Sequence, residues 1–288
     1  MKNDIFNLRR FGKYFVSDAR SCAANYGLAM ALISFMGLLT YLIYGFTILA
    51  LDGEWESADG GFRSFVFLLC MCVIIINMPV KCYGKITDRK DGASWLMIPV
   101  STFEKCLSMV VMTVFVVPAI TMGTYLLIDM IICRIDPSCG TALFEMVEDL
   151  FNLLGNLKVS SEMDLTNYPA VGDFVRQLTS PWLYIDDYAQ VSLTFLLGAI
   201  FFKSGKTSKT ILAVIILSIL ISIAATPFIM HSIGSSTVSM QMETSEELNT
   251  LFNTGIFRHA ALIDTISDTL ANIVLLTGIF FRVRTLKH

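Results

Sequence analysis

The sequence has little charge. Only 16% of its 288 residues are Asp, Glu, Lys or Arg, whereas a soluble globular domain averages about 25%. Hydrophobic residues make up 55% and occur in long uninterrupted blocks. This pattern excludes an ordinary soluble enzyme, a disordered chain and a disulfide-rich secreted scaffold. It also excludes an outer-membrane barrel, whose strands alternate with period two over about ten residues. The sequence therefore predicts an all-α, polytopic integral membrane protein.

Catalytic and metal-binding patterns are also missing. The three histidines, His231, His259 and His288, have no ligand spacing, and the sequence contains neither an H-E-x-x-H nor a G-x-S-x-G motif. The polar residues inside the predicted membrane segments form no ionisable pair. We therefore expect a protein that is not an enzyme and that holds no metal and no cofactor.

The cysteines are seven in number, which is odd, and none forms a C-x-x-C motif. Cys70, Cys72, Cys82 and Cys106 lie in or beside apolar segments, which favours small buried thiols. Cys133 and Cys139 are close together near one membrane face, so a disulfide between these two residues remains open.

Six apolar segments are long enough, or nearly so, to cross a hydrocarbon core of about 30 Å, which takes about 20 helical residues. A basic amphipathic helix at 1–25 precedes them, and we interpret 1–288 as a single transmembrane domain. The predicted transmembrane helices are 26–51, 64–81, 106–130, 182–202, 210–231 and 266–281, joined by a cytoplasmic loop at 82–105 and by extracytoplasmic segments at 131–181 and 232–265.

The distribution of basic residues predicts the orientation. With both termini in the cytoplasm, 16 of the 21 Lys and Arg residues lie on the cytoplasmic side. The excess recurs in all four predicted cytoplasmic pieces, 1–25, 81–105, 203–209 and 282–288, and this bias is known as the positive-inside rule. We therefore expect six spans with the N-terminus and the C-terminus inside.

The outer side has two features of its own. Residues 143–157 carry leucines at helical spacing beside acidic residues, which predicts a partly helical outer segment within 131–181. Five aspartates near the outer ends of spans have two readings: solvated interfacial carboxylates, or an acidic vestibule that attracts cations. They are Asp129, Asp186, Asp187, Asp264 and Asp268.

The most specific segment is the loop that leads into the third span. Pro99 favours extended backbone just before it. Ser101 and Glu104 then have the S-x-x-E spacing of a capping box, so a helix is predicted to begin at Thr102. We expect Lys105 to lie at headgroup level.

This loop resembles the L-P-x-S-x-x-E-K element of ABC-2-type permeases, with Ile98 in place of the usual Leu. The six predicted spans and the amphipathic N-terminal helix are similar to the topology of the same family. The resemblance implies the membrane subunit of a bacterial exporter. It also implies a multi-pass protein of the inner membrane that contacts lipid, forms a homodimer or heterodimer of permeases and binds no nucleic acid. The loop would dock on a separate ATPase through Trp95, Ile98, Pro99, Val100, Ser101, Glu104 and Lys105. The alternative is a sensor, assembly factor or immunity-like factor that binds a partner through 131–181.

Overall fold

The computed structural model describes residues 6–87, 92, 95, 97–146, 181–235 and 260–286. Regular structure in these ranges is helical, and they contain no β-strand. The prediction of an all-α protein is confirmed. The chain divides into two compact units. The first is built on Met1–Glu148, Val191–Thr210 and Val274–His288, and the second on Asp149–Gln190 and Ile211–Ile273.

The α-helices of the described ranges are α1 (Leu8–Ser34), α2 (Met36–Asp52), α3 (Gly60–Tyr83), α4 (Thr102–Val111), α5 (Val117–Ile135), α6 (Pro181–Phe201), α7 (Lys206–Ser235) and α8 (Ala260–Thr285). Short 3₁₀ turns cover Gly84–Thr87 and Pro137–Cys139. A π-helix, Met112–Val116, joins α4 to α5 without a break.

Five helical runs in the described ranges are long and apolar enough to cross a membrane, as expected of a multi-pass membrane protein. They are Leu8–Leu51, Gly60–Thr87, Thr102–Ile135, Lys206–Ala224 and Thr265–Thr285. The fourth predicted span, 182–202, coincides with α6, which is not one of the five. Asp186, Asp187 and Gln190 lower the mean hydropathy of α6. α1 continues from Leu8 to Ser34, so the predicted amphipathic helix and the beginning of the predicted first span belong to one helix.

Local sequence accounts for several helix ends. The side chain of Asn7 accepts hydrogen bonds from the backbone N–H groups of Arg9 and Arg10 and so begins α1. Asp59 begins α3 in the same way, by accepting from the N–H of Gly61. Gly53 ends α2 with a φ of 77°, a left-handed conformation that glycine adopts without steric cost.

The core of the first unit forms around the helical run of α4, the π-helix and α5. In the most apolar stretch of this helical run, 56% of the residues are buried, compared with 22% in the corresponding stretch of the run Gly60–Thr87. Tyr125 of α5 is fully buried and packs against Gly37 of α2. A Cβ atom at Gly37 would lie 3.1 Å from the tyrosine ring, so the absence of a side chain permits this close approach.

Candidate functional site

The start of α4 has the capping box that the sequence predicts. Ser101 Oγ accepts a hydrogen bond from the backbone N–H of Glu104 at 3.2 Å, and the backbone N–H of Ser101 donates to Glu104 Oε2 at 3.2 Å. The helix begins at Thr102, as expected. Each bond satisfies a backbone donor that has no partner inside the helix, so the orientation of this helix start is held by its own first turn.

Glu104 also ties α4 to the beginning of the chain. Its carboxylate accepts hydrogen bonds from Arg10 Nε at 2.8 Å and from Arg10 Nη2 at 2.9 Å, in the two-pronged geometry that gives the strongest ion pairs. The backbone N–H of Asn7 donates to Glu104 Oε1 at 2.8 Å. The Glu104 side chain is fully buried, so four donors surround one buried carboxylate. The sequence spacing predicted the cap but not the bonds to α1.

Lys105 packs against the loop that precedes α4, and its predicted position at headgroup level remains a prediction. It is buried, and its Nζ donates to the carbonyl oxygen of Trp95 at 3.0 Å. The same ammonium lies 4.7 Å from the centre of the Trp95 ring, a cation–π contact. Trp95 Nε1 in turn donates to the hydroxyl of Tyr14 at 3.2 Å. The loop residue Trp95 is therefore held between α4 and α1.

The residues between Trp95 and Ser101 form an exposed turn. The backbone N–H of Val100 donates to the carbonyl of Ile98 at 2.8 Å, which closes a tight turn around Pro99. Met97 is 82% exposed and Ile98 is 37% exposed, Pro99 is exposed, and Val100 is half-buried. The structure therefore presents apolar side chains on a turn whose two flanks are held by buried polar contacts.

A groove of about 500 Å³ lies beside this turn. Its walls come from α1, from the end of α3 and from the loop, through residues that include Ser17, Asp18, Cys82, Trp95 and Ile98. Asp18 Oδ2 accepts hydrogen bonds from the hydroxyl of Tyr83 at 3.0 Å and from Ser108 Oγ at 2.5 Å. Asp18 thus lines the groove and links α1 to both α3 and α4.

At the opposite end of α5, Asp129 forms a buried ion pair. Its Oδ1 accepts a hydrogen bond from Arg63 Nη1 at 2.8 Å, and its Oδ2 accepts from the backbone N–H of Leu143 at 2.8 Å. Arg63 Nη2 donates to the carbonyl oxygens of Cys139 and Thr141 at 2.8 and 2.7 Å. Asp129 is therefore neither solvated nor part of an open vestibule in the structure, because Arg63 and the following loop cover its carboxylate.

Asp136 anchors the next turn. It accepts hydrogen bonds from the Tyr41 hydroxyl at 2.8 Å, from Trp55 Nε1 at 2.9 Å and from the backbone N–H of Ser138 at 2.9 Å. Burial by itself raises the pKa of the Asp136 carboxyl. Hydrogen bonds from Ser138, Tyr41 and Trp55 more than offset burial and lower the pKa to about 2.

The other four predicted vestibule aspartates belong to the second unit, whereas Asp129 belongs to the first. Asp187 is exposed, and Asp186 and Asp268 are half-buried. The carbonyl oxygen of Asp186 accepts a hydrogen bond from Asn272 Nδ2 at 3.4 Å. The side chain of Asp264 lies outside the described residues. The vestibule remains a prediction for these four positions.

The cysteines pair differently from the possibility left open. Cys22 in α1 and Cys82 in α3 form a disulfide, with their Cα atoms 5.1 Å apart. Cys133 and Cys139 are free thiols. Cys133 Sγ accepts a hydrogen bond from Arg63 Nη1 at 2.9 Å, so its sulfur is engaged by the ion pair. Nothing in the spacing of Cys22 and Cys82 pointed to their contact.

Two predicted segments fall largely outside the described residues. The outer helix expected within 143–157 is described only to residue 146, and residues 236–259 of the second outer segment are not described. In the ranges that the structure describes, no group of three or more His, Cys, Asp or Glu residues is placed to hold a metal ion. Partner binding through 131–181 remains a prediction.

Comparison with known proteins yields no relative. No family model matches the chain, and neither a curated protein nor a solved structure matches it.

Proposed function

We propose that this chain is the membrane-spanning subunit of an ABC-2-type exporter and that the exposed turn at 97–100 docks on a separate ATPase. One arrangement supports the proposal most directly. An apolar turn protrudes at the start of a membrane helix, and its base is held by Ser101, Glu104 and Lys105. A segment that transmits force from a partner into a membrane helix needs an exposed contact surface on a base that does not fray.

The contacts of Glu104 and Trp95 extend this argument to α1. Glu104 binds Arg10, and Trp95 binds Tyr14, so α1 is attached to both flanks of the docking turn through two residues four positions apart. Movement of the turn would therefore displace α1 as well as α4. The exposed apolar side chains of Met97 and Ile98 suit a groove on a soluble partner, since buried apolar contacts at the centre of an interface contribute most of its affinity.

The direct test is recovery of the ATPase. The tagged chain is extracted from native membranes in mild detergent, and co-purifying proteins are identified by mass spectrometry and by ATP hydrolysis. We expect a protein with a G-x-x-x-x-G-K-[ST] motif at a fixed ratio to the chain. Its absence from the wild-type preparation would sink the proposal.

Variants in the turn then locate the contact. Ile98→Asp with Val100→Asp should release the ATPase while leaving the chain in the membrane. Ile98→Asp alone keeps the test valid if the double variant misfolds, because Ile98 is exposed and Val100 is half-buried. Ile98→Leu with Val100→Ile is the matched control and should retain the ATPase. Ile98→Leu alone is the control for Ile98→Asp alone, and equal recovery with these two variants would remove the turn from the interface.

The orientation has a separate test. We propose six spans with both termini in the cytoplasm of a bacterial inner membrane. Reporter fusions after Arg20, Lys90, Lys206 and Lys287 should report cytoplasm, and those after Asp59, Glu162 and Glu246 should report the opposite side. The reason is the excess of basic residues on one side. A cytoplasmic signal from the fusion at Glu162 would contradict the six-span arrangement.

A further inference from the structure

Two cysteines from different helices meet beside the docking turn. Cys22 and Cys82 are 60 residues apart in the chain and form a disulfide. Their Cα atoms are 5.1 Å apart, within the range of about 4.4–6.8 Å that a disulfide spans without backbone movement. The folded chain therefore holds these two sulfurs in bonding geometry.

The two cysteines differ in their access to solutes. Cys22 is 3% exposed. Cys82 is half-buried and lines the groove of about 500 Å³, together with Lys85 and Trp95. A small molecule that enters the groove therefore reaches Cys82 but not Cys22. This asymmetry gives the two sulfurs different chemical roles.

The proposed orientation puts this pair on the cytoplasmic side, and the inference rests on that part of the proposed function. Thiol-based reductants keep cytosolic cysteines reduced, and disulfides there are mostly transient. A pair held in bonding geometry in such a compartment starts as two thiols and closes only when a suitable oxidant arrives.

We propose that Cys82 is a modification site for a low-molecular-weight disulfide of the glutathione class and that Cys22 resolves the adduct. The Cys82 thiolate attacks one sulfur of oxidised glutathione, forms a mixed disulfide and releases one glutathione thiol. The Cys22 thiolate then attacks the Cys82 sulfur and releases the second glutathione thiol. Two protein thiols are oxidised to one disulfide, and one small disulfide is reduced to two thiols.

The closed bond joins α1 to the end of α3 across two walls of the groove. Trp95 and Ile98 line the same groove, so the bond fixes the surroundings of the docking turn. Reduction leaves α1 and α3 joined there by non-covalent contacts such as that between Asp18 and Tyr83. The site is therefore placed to sense the thiol balance of the cell where the chain is proposed to meet its ATPase.

The experiment uses inside-out membrane vesicles that contain the full chain with Cys72→Ser, which removes the exposed free thiol on α3. Vesicles are treated with oxidised glutathione, alkylated and analysed by peptide mass spectrometry. We expect a Cys22–Cys82 cross-linked peptide that dithiothreitol removes. The Cys22→Ser variant should retain glutathione on Cys82, and the Cys82→Ser variant should carry none on Cys22. Cys106→Ser, at a buried free cysteine, is the matched control and should behave like its parent.

Three results would overturn the site: no adduct on Cys82 in the Cys22→Ser variant, an adduct on Cys22 in the Cys82→Ser variant, or a bond already closed in cells that were alkylated at harvest. Recovery of the ATPase from untreated wild-type membranes is measured in parallel. Failure of that recovery alone counts against the proposed function, whereas the three results above count against the modification site.

Discussion

Arg10 and Glu104 lie 94 residues apart in the chain and make two hydrogen bonds, at 2.8 and 2.9 Å. Each residue lies in the first turn of its helix, so the pair joins the beginning of α1 to the beginning of α4. Glu104 is fully buried, while the Arg10 side chain is 37% exposed. This asymmetry decides which substitution does more harm.

Arg10→Met should be more damaging than Glu104→Gln. Loss of Arg10 leaves a buried carboxylate without its counter-charge, at a cost near the lower end of about 3–5 kcal/mol because water reaches Arg10. Glu104→Gln leaves an arginine that can turn to solvent. The double variant should recover part of the loss. Unfolding in detergent measures each free energy, with Arg9→Met as the exposed control; equal effects of Arg9→Met and Arg10→Met would contradict the assignment.

The ion pair between Arg63 and Asp129 should be more sensitive still, because both partners are buried. Asp129→Asn leaves the Arg63 guanidinium without its carboxylate and should cost about 3–5 kcal/mol. Arg134→Met, at an exposed position of the same helix, should change the unfolding free energy by about 0.5 kcal/mol or less. Thermal unfolding of the purified variants tests the difference. A neutral Asp129→Asn would show that the carboxylate is solvated.

Asp136 should give the folded protein an acid-dependent stability. The carboxyl has a pKa of about 2 in the folded chain, compared with an ordinary value of 3.8. Between these values the unfolded chain binds the proton and the folded chain does not, so stability falls as the pH drops from about 4 to about 2. The Asp136→Asn variant should lose this part of the pH dependence, and Glu145→Gln, at an exposed carboxylate, should keep it. Melting temperatures across this pH range provide the measurement, and parallel curves for wild type and Asp136→Asn would refute the expectation.

Gly198→Ala should destabilise the contact between α6 and the start of α7. A Cβ atom at Gly198 would lie 2.7 Å from Cγ2 and 2.8 Å from Cβ of Thr210, which is a stiff β-branched residue. Overpacking of this kind costs about 1–3 kcal/mol. Gly278→Ala is the matched control, since its nearest neighbour would be Leu197 at 3.7 Å, and it should be neutral or stabilising by up to about 1 kcal/mol. Thr210→Gly should restore stability to Gly198→Ala. If both alanine variants melt alike, the close approach is not real.

Local patterns predicted local structure well. The capping box of Ser101 and Glu104 depends on three residues of spacing, and it is present with both hydrogen bonds. The apolar blocks predicted membrane helices because their length alone meets the thickness of a bilayer. The break between α1 and α2 at Phe35 was not foreseen, because Phe35 and Met36 carry no turn signal and the apolar run continues through them.

Contacts between distant segments could not be predicted from the single sequence. Arg63 and Asp129 are 66 residues apart, and no motif around either residue indicates that the two pair. The sequence placed Asp129 among the interfacial carboxylates because the position of a residue along a span indicates its depth in the membrane. That position does not indicate which face of the helix the residue occupies. The contact of the Lys105 ammonium with Trp95 was not predicted, for the same reason.

The π-helix at Met112–Val116 has a consequence for the spacing of buried positions along its helical run. Fully or nearly fully buried residues recur every four positions up to its first residue and again every four positions after its end, and the step between the two series is five. They are Glu104, Ser108 and Met112, then Val117, Thr121, Tyr125 and Asp129. The one additional residue in the π-helix thus places the buried faces of α4 and α5 on the same side of the helical run. Removing a single residue between 112 and 116 would rotate everything beyond it by about 100°. Asp129 would then turn away from Arg63, while Glu104 would still bind Arg10. The two ion pairs can therefore form together only with the present number of residues between Glu104 and Asp129.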